Sequence, residues 1–123
     1  MSNYFDKDGN PLELHEWSKL HSDFDYKLIA HEIVGDRRVS TVWLGINHSF
    51  GGDNTPPLIF ETMIFVGDGW LEIYCDRYST LEEAGAGHKK AVALAPALEI
   101  PNWFEEENIS EVKYDDPNPE DTK

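Results

Sequence analysis

Apolar residues change their spacing along the chain, and each change marks an element. Leu14, Trp17 and Leu20 recur at three-residue intervals, with His21 one turn beyond Trp17 and Glu13, Glu16 and Lys19 on the other side. That period predicts a short amphipathic helix over residues 12–21, anchored by Trp17. Before it, Tyr4 and Phe5 lead into Asp8-Gly9-Asn10-Pro11, a turn signal that stops a strand. From residue 26 to 34 the period drops to two, with Tyr26, Leu28 and Ala30 alternating against Lys27, Ile29, His31 and Ile33. Gly35-Asp36 turns the chain and residues 39–46 continue the β-branched run, so a hairpin is expected. Residues 58–66 are almost continuously apolar, interrupted only by Glu61 and Thr62, and Gly67-Asp68-Gly69 then leads into residues 70–76. Four strands in meander order predict one antiparallel sheet.

A second helix follows. Thr80 with Glu83 three residues on forms a capping-box pattern, and Pro96 bounds the element. Leu81, Ala84, His88, Ala91, Val92 and Ala95 mark one face, rich in small residues, that can lie close on a sheet. Gly85 and Gly87 each weaken this helix by roughly 1 kcal/mol relative to alanine, so close packing or a bend is expected there. The reading is an α+β domain over residues 1–95, a four-stranded antiparallel meander with one helix before and one after, both on one face. Trp43, Phe60, Ile64, Ile73, Leu81 and Val92 are the expected core. Residues 96–123 are expected to form an acidic, partly disordered C-terminal tail with an apolar island at Ile100-Pro101-Asn102-Trp103-Phe104.

Charge narrows the function. The formal net charge is −14, and half of it falls beyond residue 95. Such a surface repels nucleic acid and anionic membranes and attracts a basic protein surface. The single cysteine, Cys75, excludes an internal disulfide, and its strand-like setting predicts a buried, inert thiol. No apolar run approaches the ~20 residues of a membrane span and no leader pattern is visible, so a cytoplasmic location is expected.

Candidate chemistry gathers in residues 47–57, a glycine- and proline-bearing loop between two strong strands. It carries His48, Ser49, Asp53 and Asn54, and Glu61 lies on the strand that follows. These five form the candidate binding site, with His48 as hydrogen-bond donor or proton carrier. The competing structural role has Gly51-Gly52 permitting tight backbone angles and His48 capping a strand end. A metal held by His48, Asp53 and Glu61, or Ser49 as nucleophile with His48 or His88 as base, are sharper alternatives. No HExxH, CxxC, Gly-x-Ser-x-Gly or P-loop spacing supports them, so no cofactor is expected. His88 is expected to be a buried histidine linking helix to sheet. Glu32 should point away from the face that carries His31.

The string Val39-Ser40-Thr41-Val42-Trp43-Leu44-Gly45-Ile46-Asn47-His48-Ser49-Phe50-Gly51-Gly52, followed by Pro56-Pro57-Leu58-Ile59-Phe60-Glu61-Thr62-Met63-Ile64-Phe65, resembles a family of small uncharacterised proteins. They are encoded by actinobacteria and their bacteriophages. The stretch Arg77-Tyr78-Ser79-Thr80-Leu81-Glu82-Glu83-Ala84 with Gly87-His88, and the opening residues 4–17, are similar to the same family. The resemblance spans residues 4–93 and implies a phage or prophage setting without a mechanism. The resulting expectation is a non-catalytic binding protein, a phage or prophage accessory factor that engages a host protein or a small ligand. A homodimer that sequesters a small ligand is a variant. The alternative is a small hydrolase or metal-assisted enzyme that uses the His48 loop.

Overall fold

A computed structural model of the chain describes residues 3–48, 55–67 and 71–100. Its first element is a small hairpin, β1 (Tyr4–Phe5) with β2 (Pro11–Leu12). The Asp6 carboxylate accepts the backbone N–H groups of Asp8 and Asn10, both at 2.9 Å, and Gly9 takes φ +88°. The Asp-Gly-Asn-Pro turn therefore closes a hairpin instead of ending a strand.

Helix α1 (Leu14–His21) follows, with Glu16 accepting the Glu13 backbone N–H at 2.8 Å. A short helix α2 (Phe24–Lys27) takes up Tyr26 and Lys27, two residues whose alternation suggested a strand. Asp23 provides the reason: its side chain accepts the Tyr26 N–H and starts a helical turn. The sheet comprises β3 (Leu28–Val34), β4 (Arg37–Trp43), β5 (Phe60–Val66) and β6 (Leu71–Tyr78), all antiparallel, in the order β3-β4-β5-β6. Helix α3 (Leu81–Leu94) then crosses back over the sheet and passes into a 3-10 turn, Ala95–Ala97. Its start is the anticipated capping box, with Thr80 accepting the Glu83 N–H and Glu83 accepting the Thr80 N–H.

Cross-strand partners share a face, and the registers Val39↔Ile64, Thr41↔Thr62 and Trp43↔Phe60 place all six residues beneath the helices. One core cluster joins Trp43, Ile59, Phe60, Tyr78 and Ala84 to Trp17 and Leu20 of α1. The other joins Val39, Ile64, Ala91 and Ala95 to Ile73 and Val92. Of the expected core, Trp43, Phe60 and Ile64 are fully buried, and Ile73 and Val92 pack beside them. Leu81 is not core: it is 44% exposed, at the first residue of α3 and one turn ahead of the buried stripe Ala84, Gly87, His88 and Ala91.

Gly87 is needed for this contact, because a Cβ there would overlap the Tyr78 ring. Nothing in the structure explains Gly85, whose Cβ would meet open space. Gly45 takes φ +75° and lets the chain turn tightly around the Trp17 and Trp43 rings.

Candidate functional site

The covered face holds a polar chain beneath α3, buried at Thr41, Thr62 and His88 and open to water at Glu32. Glu32 on β3, His88 on α3, Thr41 on β4 and Thr62 on β5 are joined in sequence. His88 Nε2 lies 2.9 Å from Glu32 Oε1, His88 Nδ1 lies 2.7 Å from Thr41 Oγ1, and the two threonine hydroxyls lie 2.6 Å apart. An ionised carboxylate only accepts, so His88 Nε2–H donates to Glu32. A neutral ring then accepts the Thr41 hydroxyl proton at Nδ1, and Thr41 accepts from Thr62. Carboxylate, imidazole and hydroxyl stand in the order of a nucleophilic triad. Thr41 and Thr62 have no exposed surface, however, and His88 retains only 4%. A substrate carbonyl has no approach to either hydroxyl, so the chain is a structural clamp that ties the helix to three strands. Beside it, burial raises the Tyr78 phenol above its ordinary pKa.

Among the described residues, no helix lies over the opposite face, and α2 borders it through Phe24. Alternation brings His31 and Ile33 of β3, Arg38, Ser40 and Val42 of β4, and Glu61, Met63 and Phe65 of β5 to this side. Glu32 turns to the other face, where it meets His88. A shallow basin of about 430 Å³ lies here, lined by Phe24, Leu28, His31, Arg38, Ser40, Val42 and Phe65. The Arg38 guanidinium sits 4.8 Å above the Phe65 ring, an arrangement that anchors a cation on an apolar floor. Phe24 at the rim and Ile33 on the edge strand are each 66% exposed. Phe24 beside a concave, mostly apolar surface combines two features common at binding sites.

Glu61 also belongs to this face, where Arg77 Nε donates to its Oε2 at 3.0 Å and the Cys75 thiol lies 3.6 Å from the same oxygen. Cys75 is exposed, contrary to the buried thiol expected from its apolar neighbours. It stands opposite Met63 on the helix-free side of the sheet. Partial desolvation and then the Glu61 charge push its pKa up to about 11, so it stays protonated and is a poor nucleophile at neutral pH.

His48 lies at the mouth of the 47–57 loop. Its ring Nδ1–H donates to the Ile46 carbonyl at 2.9 Å and its backbone N–H to Leu58 at 3.0 Å, while Asn47 Oδ1 accepts the Leu58 N–H. These bonds pin the two sides of the loop together. Ser49, Asp53 and Asn54 lie outside the described residues. Among the described residues, His48 and Glu61 share no hydrogen-bond partner: one is tied to the loop neck, the other to Arg77 across the sheet.

The basin residues Phe24, Arg38 and Phe65 were not singled out from the sequence. The signal was available in the alternation of Arg38, Ser40 and Val42 against the buried Val39, Thr41 and Trp43. Only the position of α3 decides which of the two sets stays open. Among the described residues, no group of three or more histidine, cysteine or carboxylate side chains is placed to hold a metal ion, and no helix is long and apolar enough to cross a membrane. Comparison of the chain with known protein families, curated proteins and solved structures finds no match.

Proposed function

We propose that the protein is a non-catalytic binding protein, a phage or prophage accessory factor that engages a host protein or a small ligand on the open face of its sheet. The observation that carries this reading is the apolar basin between Phe24, Val42 and Phe65, rimmed by Arg38, His31 and Ser40. Its volume falls within the roughly 300–1,000 Å³ of small-molecule sites. Its chemistry suits an apolar body with an anionic or hydrogen-bonding head: hydrophobic contact on the floor, charge and hydroxyl at the rim. The buried hydroxyls of the other face are committed to internal bonds, which favours binding over catalysis. The −14 charge of the chain adds long-range attraction toward a basic partner surface, and the resemblance of residues 39–65 to phage-encoded proteins supports the host cytoplasm as the proposed setting.

An environment-sensitive probe of matching chemistry, anilinonaphthalene sulfonate, tests the site. Its fluorescence should rise with the native chain and lose most of that rise in Phe65→Asp, with the far-UV spectrum of the protein unchanged. Equal response from the native chain and the folded variant would remove the basin as the binding surface.

A further inference from the structure

We infer that the basin takes a small monoanionic amphiphile, a carboxylate on an apolar body, and that Arg38 is the group that selects the charge. The inference rests on the basin being the receptive surface, and it names the chemistry of what that surface receives.

The basin is polar at one end and apolar at the other, and the strand register sets the order. Arg38 lies opposite Phe65, Ser40 opposite His31 in the next row, and Val42 opposite Leu28 in the row after that. A rise of about 3.3 Å per residue puts Val42 about 13 Å along β4 from Arg38. Phe24, one helical turn before Leu28, borders the apolar end. A ligand lying along β4 therefore has its head at Arg38 and its body against Leu28, Val42 and Phe24. A body of two fused rings fits within that length. Ile33 stands on the other side of Arg38, outside the basin.

Charge selects the head. None of the residues that line the basin carries a carboxylate, whereas Arg38 and His31 both supply N–H donors. A basic protein surface would set its own cations against Arg38, so this basin fits the small ligand better than such a partner. A guanidinium held over the Phe65 ring offers its N–H groups edge-on to a planar carboxylate, and its several donors can take a further acceptor. The Glu61 and Glu72 carboxylates lie in the neighbouring positions, opposite Val42 and Phe65, with Glu61 bonded to Arg77. With the −14 charge of the chain they limit the ligand to a single negative charge: a polyanion gains one guanidinium here and is repelled by the rest of the molecule.

Three ligands that share one body test this: naphthoate, naphthamide and naphthylmethylamine, each titrated into the full chain while the methyl resonances of Leu28 and Val42 are followed. Naphthoate should shift both residues and bind about tenfold more tightly than the neutral amide, the difference that a hydrogen bond to a charged group makes. The amine should bind more weakly than either. Arg38→Gln should reduce naphthoate to the affinity of the amide with the far-UV spectrum unchanged, and His31→Gln should cost a smaller factor. Amide or amine binding as tightly as the acid overturns the inference. So does a folded Arg38→Gln chain that keeps the preference for the acid, or naphthoate binding that leaves Leu28 and Val42 unshifted. For an Arg38→Gln chain that does not fold, the native chain's ranking of the three ligands decides alone. If the anilinonaphthalene sulfonate response depends on Phe65 while the three naphthalenes bind equally, the binding reading stands and the anion preference falls. If that response ignores Phe65→Asp and none of the three ligands shifts Leu28 or Val42, the binding reading itself falls.

Discussion

The two faces of this sheet come from the same four strands, one residue apart, and they have opposite relations to water. On one face Thr41 and Thr62 lie fully buried and pass their hydrogen bonds to His88 and Glu32. On the other, Ser40 and His31 border an open basin. The difference shows that a polar side chain in a strand is not by itself a functional group. A hydroxyl under a helix must be satisfied internally, and once satisfied it holds the fold. A hydroxyl on the uncovered face keeps its bonding capacity for a visitor. The most triad-like cluster in the molecule is thus the least available for chemistry.

Substitutions on the two faces should therefore separate stability from binding. The largest effect is expected for Trp43→Ala, which empties the centre of the first core cluster and removes the indole bond to the Phe5 carbonyl. Denaturant unfolding should show a loss of about 3–5 kcal/mol. Thr41→Val comes next: it keeps the shape but orphans His88 Nδ1 and the Thr62 hydroxyl, a cost of about 1–3 kcal/mol. Adding Thr62→Val should cost less than the two single changes together, since it removes the group the first left unpaired. An additive double mutant would show that the clamp is not a connected unit.

On the open face, Ser40→Ala should move stability by no more than about 0.5 kcal/mol while lowering probe affinity, a split read by pairing unfolding curves with fluorescence titration. The smallest effect is a pH slope. The Cys75 thiol has its pKa raised from 9.0 to about 11, so the folded chain holds a proton that the unfolded chain releases first. Stability should then fall as pH rises from about 9 toward 11, with Tyr26, Tyr74 and Tyr78, also raised by burial, adding to the loss above 10. Cys75→Ser should flatten the first part of that slope, which thermal midpoints at successive pH values would reveal.

Much of the fold was legible because its signals are local. The alternation that runs on from Leu28, the Gly35-Asp36 turn and the Thr80/Glu83 capping box each act within a few residues, and they define the meander and the final helix. His88 was legible as well, because its place on the α3 stripe forces it toward the sheet. Tyr26 and Lys27 were misread because Asp23 caps a helical turn there, and the Asp-Gly-Asn-Pro turn because Asp6 closes a hairpin; two other misreadings share a different cause. Leu81 and Cys75 both belong to apolar patterns, and pattern alone says which side a residue faces but not how far the covering element extends. The basin escaped for the same reason: it exists where α1 and α3 are absent, and an absence has no motif. Residues 47–57 stood out for composition, and of them the described His48 serves the neck of the loop.

The N-terminal hairpin holds a consequence for the order of folding. Every strand of the sheet pairs with its sequence neighbour, so the meander can zip through short closures. The first residues are different. Phe5 donates its N–H to Gly45 and accepts from the indole of Trp43, 38 residues away, and the Asn3 carbonyl accepts from Asn47. The segment synthesised first must therefore wait for the end of β4 before it finds its partners. Closing so long a loop carries an entropic penalty that only the assembled Trp17 and Trp43 site offsets. The hairpin is expected to dock last and to open first, so the indole proton of Trp43 should exchange with solvent well before the backbone protons at the centre of β5.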